Sequence, residues 1–407
     1  MNNVQTKIDK DTVISLSRDL GEPAWLADIR GNAFEAFCGM KWPQPDDEEW
    51  RRTSLESVKI DDDRIISALG AFPIGTSGDD AGGHDAMILH LTQPGAAQTE
   101  RLENLRPLLE KTAGDIDNKF AALNWSRWSD GFLIYVPADT ELTDPIILDY
   151  TGLADGEINN IHTIIFLEPG AAATVIQNFA GGDDSALWNV LTTAGVGEGA
   201  QLSIAYNQEV PDTAGFFGQY TFLLEKDSRL ESFEAYTGSK LTKSRNEVFL
   251  NGTGGDARLN GIYLSGEGQH MDMRTVQYHR QRSGQSRAFF RGAVSGTGRS
   301  VYQGLIDVDK LAVGTDAYLT NNNLILNDGA RADSIPCLEI RTDDVKCSHG
   351  STSGKLDEES LFYLMSRGLS RKEAKEELIT GYFEESVIKA PEVLRERIRR
   401  GILNLVG

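Results

Sequence analysis

The sequence predicts a mainly β chain: a parallel β-helix in the middle, with helical segments at both ends. Three observations carry that prediction. From about residue 160 to 340 no helical period survives, and short β-prone runs such as Thr174-Val175-Ile176 and Thr221-Phe222-Leu223-Leu224 alternate with Gly, Asn, Asp and Ser turns. The turns also repeat, because Gly170, Gly199, Asp227, Gly255 and Gly284 lie 28 or 29 residues apart. A second set of runs, beginning at Trp188, Gly218, Glu247, Met273 and Val301, recurs between them, so each repeat holds at least two strands. Helical solenoids reach similar periods, but β-branched and aromatic interiors broken by glycine suit stacked β-coils. A β-sandwich would not require a regular repeat of this length. The boundaries that follow are an N-terminal helical region with linking strands (1–130), a β-helix core (131–350) and a C-terminal helical region (351–407). The helical flanks are expected to cover the open ends of the stack.

At the N-terminus Val13, Leu16 and Leu20 fall at helical spacing, Gly21 can stop that helix, and Pro23 suits the first turn of the next. Trp25, Ile29, Ala33 and Phe37 then mark one face of an amphipathic helix. Trp42-Pro43-Gln44-Pro45 breaks it, and the acidic run Asp46 to Glu49, read as solvated surface, leads into Trp50-Arg51-Arg52-Thr53. A further helix is expected over Arg101 to Leu123, with Leu102, Leu105, Leu108 and Leu109 as its stripe.

At the other end Asp357 can cap a helix carrying Leu361, Phe362, Leu364 and Met365, which Gly368 terminates. Ser370 and Glu373 form a capping box ahead of the apolar stripe Ala374, Leu378, Ile379, Tyr382, Phe383 and Val387. Pro391 starts a last helix with Leu394, Ile398 and Ile402 on one side. Such stripes serve either packing against the chain's own core or docking of a partner.

Lys and Arg total 40 against 61 Asp and Glu, a formal charge of −21. That charge repels phosphate backbones and anionic headgroups, so neither nucleic acid nor membrane is an expected partner. The opening residues lack an apolar core of signal-peptide length and no stretch approaches a membrane span, so a cytoplasmic location is expected. Three cysteines, Cys38, Cys337 and Cys347, are too few for a disulfide framework, and no CxxC pair marks a structural zinc site. Phosphate-loop, GxSxG and HExxH signatures are absent. The glycine-rich Asn251 to Gly255 lies between β-runs and reads as a turn rather than a nucleotide cradle.

The densest reactive cluster is Asp343-Asp344-Val345-Lys346-Cys347-Ser348-His349-Gly350, close after Cys337 and Glu339. On a strand, Cys347 and His349 project to the same face. Thiolate with imidazole suits iron, copper or zinc, but two ligands leave a metal under-coordinated, so a closed site needs groups from elsewhere or from another chain. A Cys-His nucleophile is a second reading, with poor geometry at i and i+2. A buried thiol beside a hydrogen-bonded His is the plainest. His270, Asp272 and Arg274 share one strand face and read as a solvent-exposed polar ladder. His279 flanks the same polar run on its other side, beyond Gln277; His84, His90 and His162 show no cooperating set, and Cys38 reads as core.

Asp344 to Val387 (DVKCSHGSTSGKLDEESLFYLMSRGLSRKEAKEELITGYFEESV) resembles the C-terminal signature of the SufB/SufD family of iron–sulfur cluster assembly proteins. Gly268 to Gly304 and Asn322 to Ile340 resemble its central region, and GEPAWLADIRGNAFEAF followed by EWRRT is similar to its amino-terminal pattern. The CSHG form after DVK resembles the SufD branch rather than SufB. The resemblance implies a right-handed parallel β-helix and a non-catalytic scaffold that pairs with SufB through the β-helix and binds the ATPase SufC through the C-terminal helices. It implies that iron or a nascent iron–sulfur cluster is held transiently at the shared interface, with His349 as the family's interface histidine and Cys347 beside it, and that this chain binds no nucleotide. Leu361, Phe362, Leu364, Leu378, Tyr382 and Phe383 become the SufC-docking candidates. A homodimer in isolation is left open. Two alternatives stand beside it: a SufB-like subunit that holds the cluster itself, and, from another class, a β-helix carbohydrate-active enzyme.

Overall fold

The computed structural model describes residues 9–58, 60, 86–91, 96–128, 131–152, 158–182 and 186–406. His84 lies outside them. The N-terminal part forms α1 (Lys10–Asp19), α2 (Ala24–Gly39), α3 (Ala96–Gly114) and α4 (Lys119–Arg127). Gly21 adopts φ +67° after α1, and Pro23 stands at the N-cap of α2, one residue before the helix begins. The single helix expected over Arg101 to Leu123 is two. Asn118 restarts the chain by accepting the Ala121 N–H at 3.0 Å, so residues Asp115 to Asn118 form a break that the leucine stripe does not reveal.

The described residues form seventeen strands, of which β2 to β17 follow the expected repeat. They are β1 (Met87–His90), β2 (Phe132–Val136), β3 (Ile146–Gly152), β4 (Ile158–Leu167), β5 (Ala172–Gly181), β6 (Leu187–Val196), β7 (Gln201–Glu209), β8 (Gly215–Leu224) and β9 (Arg229–Tyr236). The series continues as β10 (Leu241–Leu250), β11 (Asp256–Ser265), β12 (His270–His279), β13 (Gln285–Val294), β14 (Arg299–Val308), β15 (Thr315–Ile325), β16 (Arg331–Ile340) and β17 (Val345–Lys355). Even-numbered strands, with β1, make one sheet, ordered from β1 to β16; odd-numbered strands from β3 to β17 make the other. Apart from the antiparallel β1–β2 pair, all neighbours are parallel, giving a β-solenoid of about seven turns.

The register explains the repeat. Ala172 pairs with Gln201, an offset of 29 residues; the offset shrinks to 26 at Gly215 with Leu241 and grows to 32 at Arg299 with Arg331. Because neighbouring turns stay in phase, like positions stack: Tyr150 on β3 and Phe179 on β5 pair in register, their rings stacked 5.1 Å apart. Burying each such ring contributes on the order of 2–3 kcal/mol. The turn residues Gly170, Gly199 and Gly254 take positive φ, and Asp227 takes the same conformation without being glycine. In the glycine-rich turn a Cβ at Gly252 would sit 2.0 Å from the Lys226 backbone nitrogen, so glycine there serves the close approach of the preceding turn.

The helical flanks cover faces of the solenoid rather than its ends. α4 packs on β4 and β6, and α5 (Glu358–Ser366), α6 (Arg371–Val387) and α7 (Glu392–Val406) follow β17, with α6 lying on β11 and β13 and α7 on β11. Ile379, Phe383, Val387, Leu394, Ile398 and Ile402 form one buried cluster with Phe233, Ile262 and Leu264 of the odd-strand sheet. The expectation that the flanks close the stack is corrected: both sheets end at the C-terminal side in an edge strand, β16 and β17, with no strand beyond among the described residues. Among the described residues no helix is long and apolar enough to cross a membrane.

Candidate functional site

The open end is built from two edge strands of 10 and 11 residues, β16 and β17. Cys347 pairs with Ala317 and His349 with Leu319, and both partners are buried in the solenoid core. The thiol and the imidazole therefore continue an inward-facing row, as the alternation of a strand requires. Because no turn stacks beyond them, Cys347 is only half-buried and His349 is exposed. Ile340, in register with the core residue Val308, is 40% exposed for the same reason. Leu338 and Cys347 pack against the last core layer. Cys337 pairs with Leu305 on the outer side of the other sheet and does not join the pair. Partial burial pushes the Cys347 thiol up from its ordinary range and the Asp316 carboxylate adds to this, while the Ala317 backbone contact opposes it. Metal binding needs the thiolate, so a partner or a cation must supply what the isolated strand lacks. Among the described residues no group of three or more His, Cys, Asp or Glu is placed to hold a metal. The coordination shortfall read from the sequence persists in three dimensions.

The helix-stripe candidates divide. Phe383 is completely buried and Leu361 is 3% exposed, so neither can contact a partner, and their assignment as docking residues is corrected. Tyr382 is half-buried; its carbonyl accepts from Arg291, whose guanidinium lies 5.0 Å over its ring. Leu364 and Leu378 are half-buried. Phe362 is 73% exposed, beside Tyr363 and Met365, which are also exposed. The signal for these two was present: five consecutive apolar residues from Leu361 to Met365 cannot share one buried face of a helix.

His270, Asp272 and Arg274 do share a face, but Asp272 is completely buried rather than solvated. The segment after α2 covers this row. Thr53 donates to Asp272 and lies 3.1 Å from His270 Nε2; Lys243 Nζ pairs with Asp272 at 2.8 Å and donates to the Glu49 carbonyl; Glu49 reaches Arg274 at 3.1 Å. Glu49 is thus an anchor, while Asp46 to Glu48 are exposed as expected. Cys38 is exposed and not core. Composition gave no sign of Glu234, a fully buried carboxylate inside the coil that accepts from Tyr236 at 2.7 Å, Ser244 at 2.9 Å and Asn246 at 2.7 Å. Burial raises its pKa against those three donors.

Two histidines are purely internal. His162 lies edge-on to Trp125 and Trp128 at 4.7 and 4.9 Å, and His279 Nε2 is 2.8 Å from Ser286 Oγ. Burial, chiefly, lowers them to about 3 and about 4. Both stay neutral in the fold while an unfolded histidine protonates near 6.5, so their contribution is complete above that pH and declines as pH falls from 6.5 toward 4. The expected slope is on the order of 1.4 kcal/mol per pH unit for each. Urea melts between pH 7 and 4.5 check it: His279→Gln should flatten the decline, and an unchanged slope would contradict the assignment.

A family model described as SUF system FeS cluster assembly, SufBD core domain, matches residues 150–382. A Mycobacterium tuberculosis protein named as an iron–sulfur cluster assembly SufBD family protein is 30% identical over 389 residues, 93% of each chain. The Escherichia coli iron–sulfur cluster assembly protein SufD is 33% identical over 263 residues, 63% of this chain and 60% of that one. The Bacillus subtilis protein SufB is 24% identical over 419 residues, 94% of this chain and 90% of that one. The matched span holds β4 to β17, the open end, α5 and most of α6, and the repeat, the edge strands and the DVKCSHG segment coincide within it; the chain belongs to the SufBD family of iron–sulfur cluster assembly proteins.

Proposed function

We propose that this chain is a SufD-like scaffold whose open C-terminal end pairs with a SufB-type sister chain, with His349 and Cys347 facing the seam. One observation carries the reading: two long edge strands are left uncovered while the flanking helices lie elsewhere. Bare edges of this length invite pairing with another chain, and a soluble protein ordinarily blunts them. Iron or a nascent cluster is then cargo held between subunits, with the sister chain supplying the ligands that His349 and Cys347 lack. A SufC-type ATPase docks on α5 through Phe362, Tyr363 and Met365, with Leu364 and Leu378 at the margin; no nucleotide site belongs to this chain. In isolation the same bare end would support a homodimer.

His349→Ala should leave folding intact, since the imidazole is exposed. In the reconstituted three-component complex it should reduce cluster formation by about tenfold or more, the scale at which even supporting groups of metal sites act. Undiminished assembly, followed by absorbance of the cluster, would remove this residue from the site. The similarity to SufB over nearly the whole chain favours one second reading, a subunit that holds the cluster alone. Anaerobic reconstitution of this chain by itself separates the two, since only the SufB-like reading yields a stoichiometric cluster without a partner.

A further inference from the structure

The segment that covers β10 and β12 also walls a cavity of about 560 Å³, lined by Arg51, Arg52, Lys240 and Arg299 together with His270 and a single carboxylate, Glu56. We propose that this cavity binds a soluble, multiply charged phosphoanion.

A chain of formal charge −21 offers many carboxylates, yet among the described residues none forms an ion pair with any of these four cations. Their placement is fixed by the fold. His270 and Arg299 are in register at the starts of β12 and β14, and Lys240 immediately precedes β10, whose Leu241 pairs with His270. Arg299 thus stacks on His270 at a strand spacing of about 4.8 Å, and Lys240, one residue before that row, brings a second cation to the same edge of the solenoid. Arg51 and Arg52 are the central residues of a turn closed by Thr53 N–H donating to the Trp50 carbonyl at 2.8 Å. That turn is clamped on both sides, by buried Trp50 with Glu49 and by Thr53 on Asp272 and His270. The two arginines are held out over the ladder by anchors that do not use their own side chains.

Like charges gathered around one cavity repel one another until an anion enters. Four cations against one carboxylate call for more than one negative charge, and the guanidinium fork with the ammonium point charge matches phosphate oxygens. The volume falls in the range of small-molecule sites rather than that of an extended macromolecular surface. This inference is independent of the open-end reading.

The test is titration calorimetry of the full chain with inorganic tripolyphosphate at low salt. The expected result is saturable one-to-one binding that weakens as salt rises. Arg51→Ala/Arg52→Ala and Arg299→Ala should each weaken it by about tenfold or more. Lys310→Ala, an exposed lysine beyond the far end of β14, should leave it unchanged. The variants should melt in the absence of anion as the parent does, because the removed side chains hold no ion pair. No saturable binding, or equal weakening by Lys310→Ala, would overturn the proposal. So would binding to phosphatidylserine vesicles without binding to soluble tripolyphosphate.

Discussion

Phe383→Ala is expected to cost about 3–5 kcal/mol of stability, while Phe362→Ala, on the preceding helix, changes it by no more than about 0.5 kcal/mol. The sequence treats these two phenylalanines alike, and the structure separates them. Phe383 is fully buried where α6 meets the outer face of the odd-strand sheet, among Ile379, Val387 and Leu394 of the helices and Ile262 and Leu264 of β11. Truncating it removes the ring's transfer free energy and leaves a cavity that packed helices and a hydrogen-bonded sheet cannot collapse to fill. Phe362 is mostly solvated already, so its loss in the free chain is nearly neutral. Its effect should surface only on mixing with the ATPase, as affinity lost without stability lost. Urea melts of both variants, paired with affinity measurements against the ATPase, check this. Equal destabilisation by the two would show that α5 is packed rather than presented.

Ile340→Lys is expected to abolish pairing with the sister chain while leaving the monomer folded. Ile340 closes the inward row of β16 but is 40% exposed, so a lysine there can carry its ammonium into water and costs the free chain little. Against an incoming strand the same ammonium must be desolvated in an apolar seam, at several kcal/mol, which is one of the devices that keeps natural edges apart. Size-exclusion chromatography of the variant with its partner, beside its unchanged melting curve, gives the outcome. Pairing at parental affinity would show that the interface lies elsewhere.

Much of this architecture was legible in the sequence because its signals are local. Asp357, which accepts from the Glu359 and Ser360 N–H groups, and the Ser370–Glu373 capping box mark helix starts within a few residues of themselves. Turn residues at Gly170, Gly199 and Asp227 recur because each turn must bend the chain in the same way. The pairing of Cys347 with His349 on one face needed only strand alternation. What stayed illegible depends on long-range contacts. A stripe such as Ile379 and Phe383 announces a buried face without naming the surface it buries, so the C-terminal helices were expected over the end and are found on a side. Asp272 looked like a solvated rung because nothing near it in sequence shows that Thr53, more than two hundred residues earlier, covers it. Glu234 gave no sign at all, since a carboxylate inside a coil is recognisable only once Tyr236, Ser244 and Asn246 are seen to point at it.

The most direct measurement is the mass and iron content of the complex formed when this chain is co-expressed with SufB- and SufC-type partners. The account predicts a complex that contains this chain, the SufB-type subunit and the ATPase, and iron that is lost when His349→Ala or Ile340→Lys is introduced. A complex that assembles with both variants and keeps its iron, or a chain that joins neither partner, would contradict it.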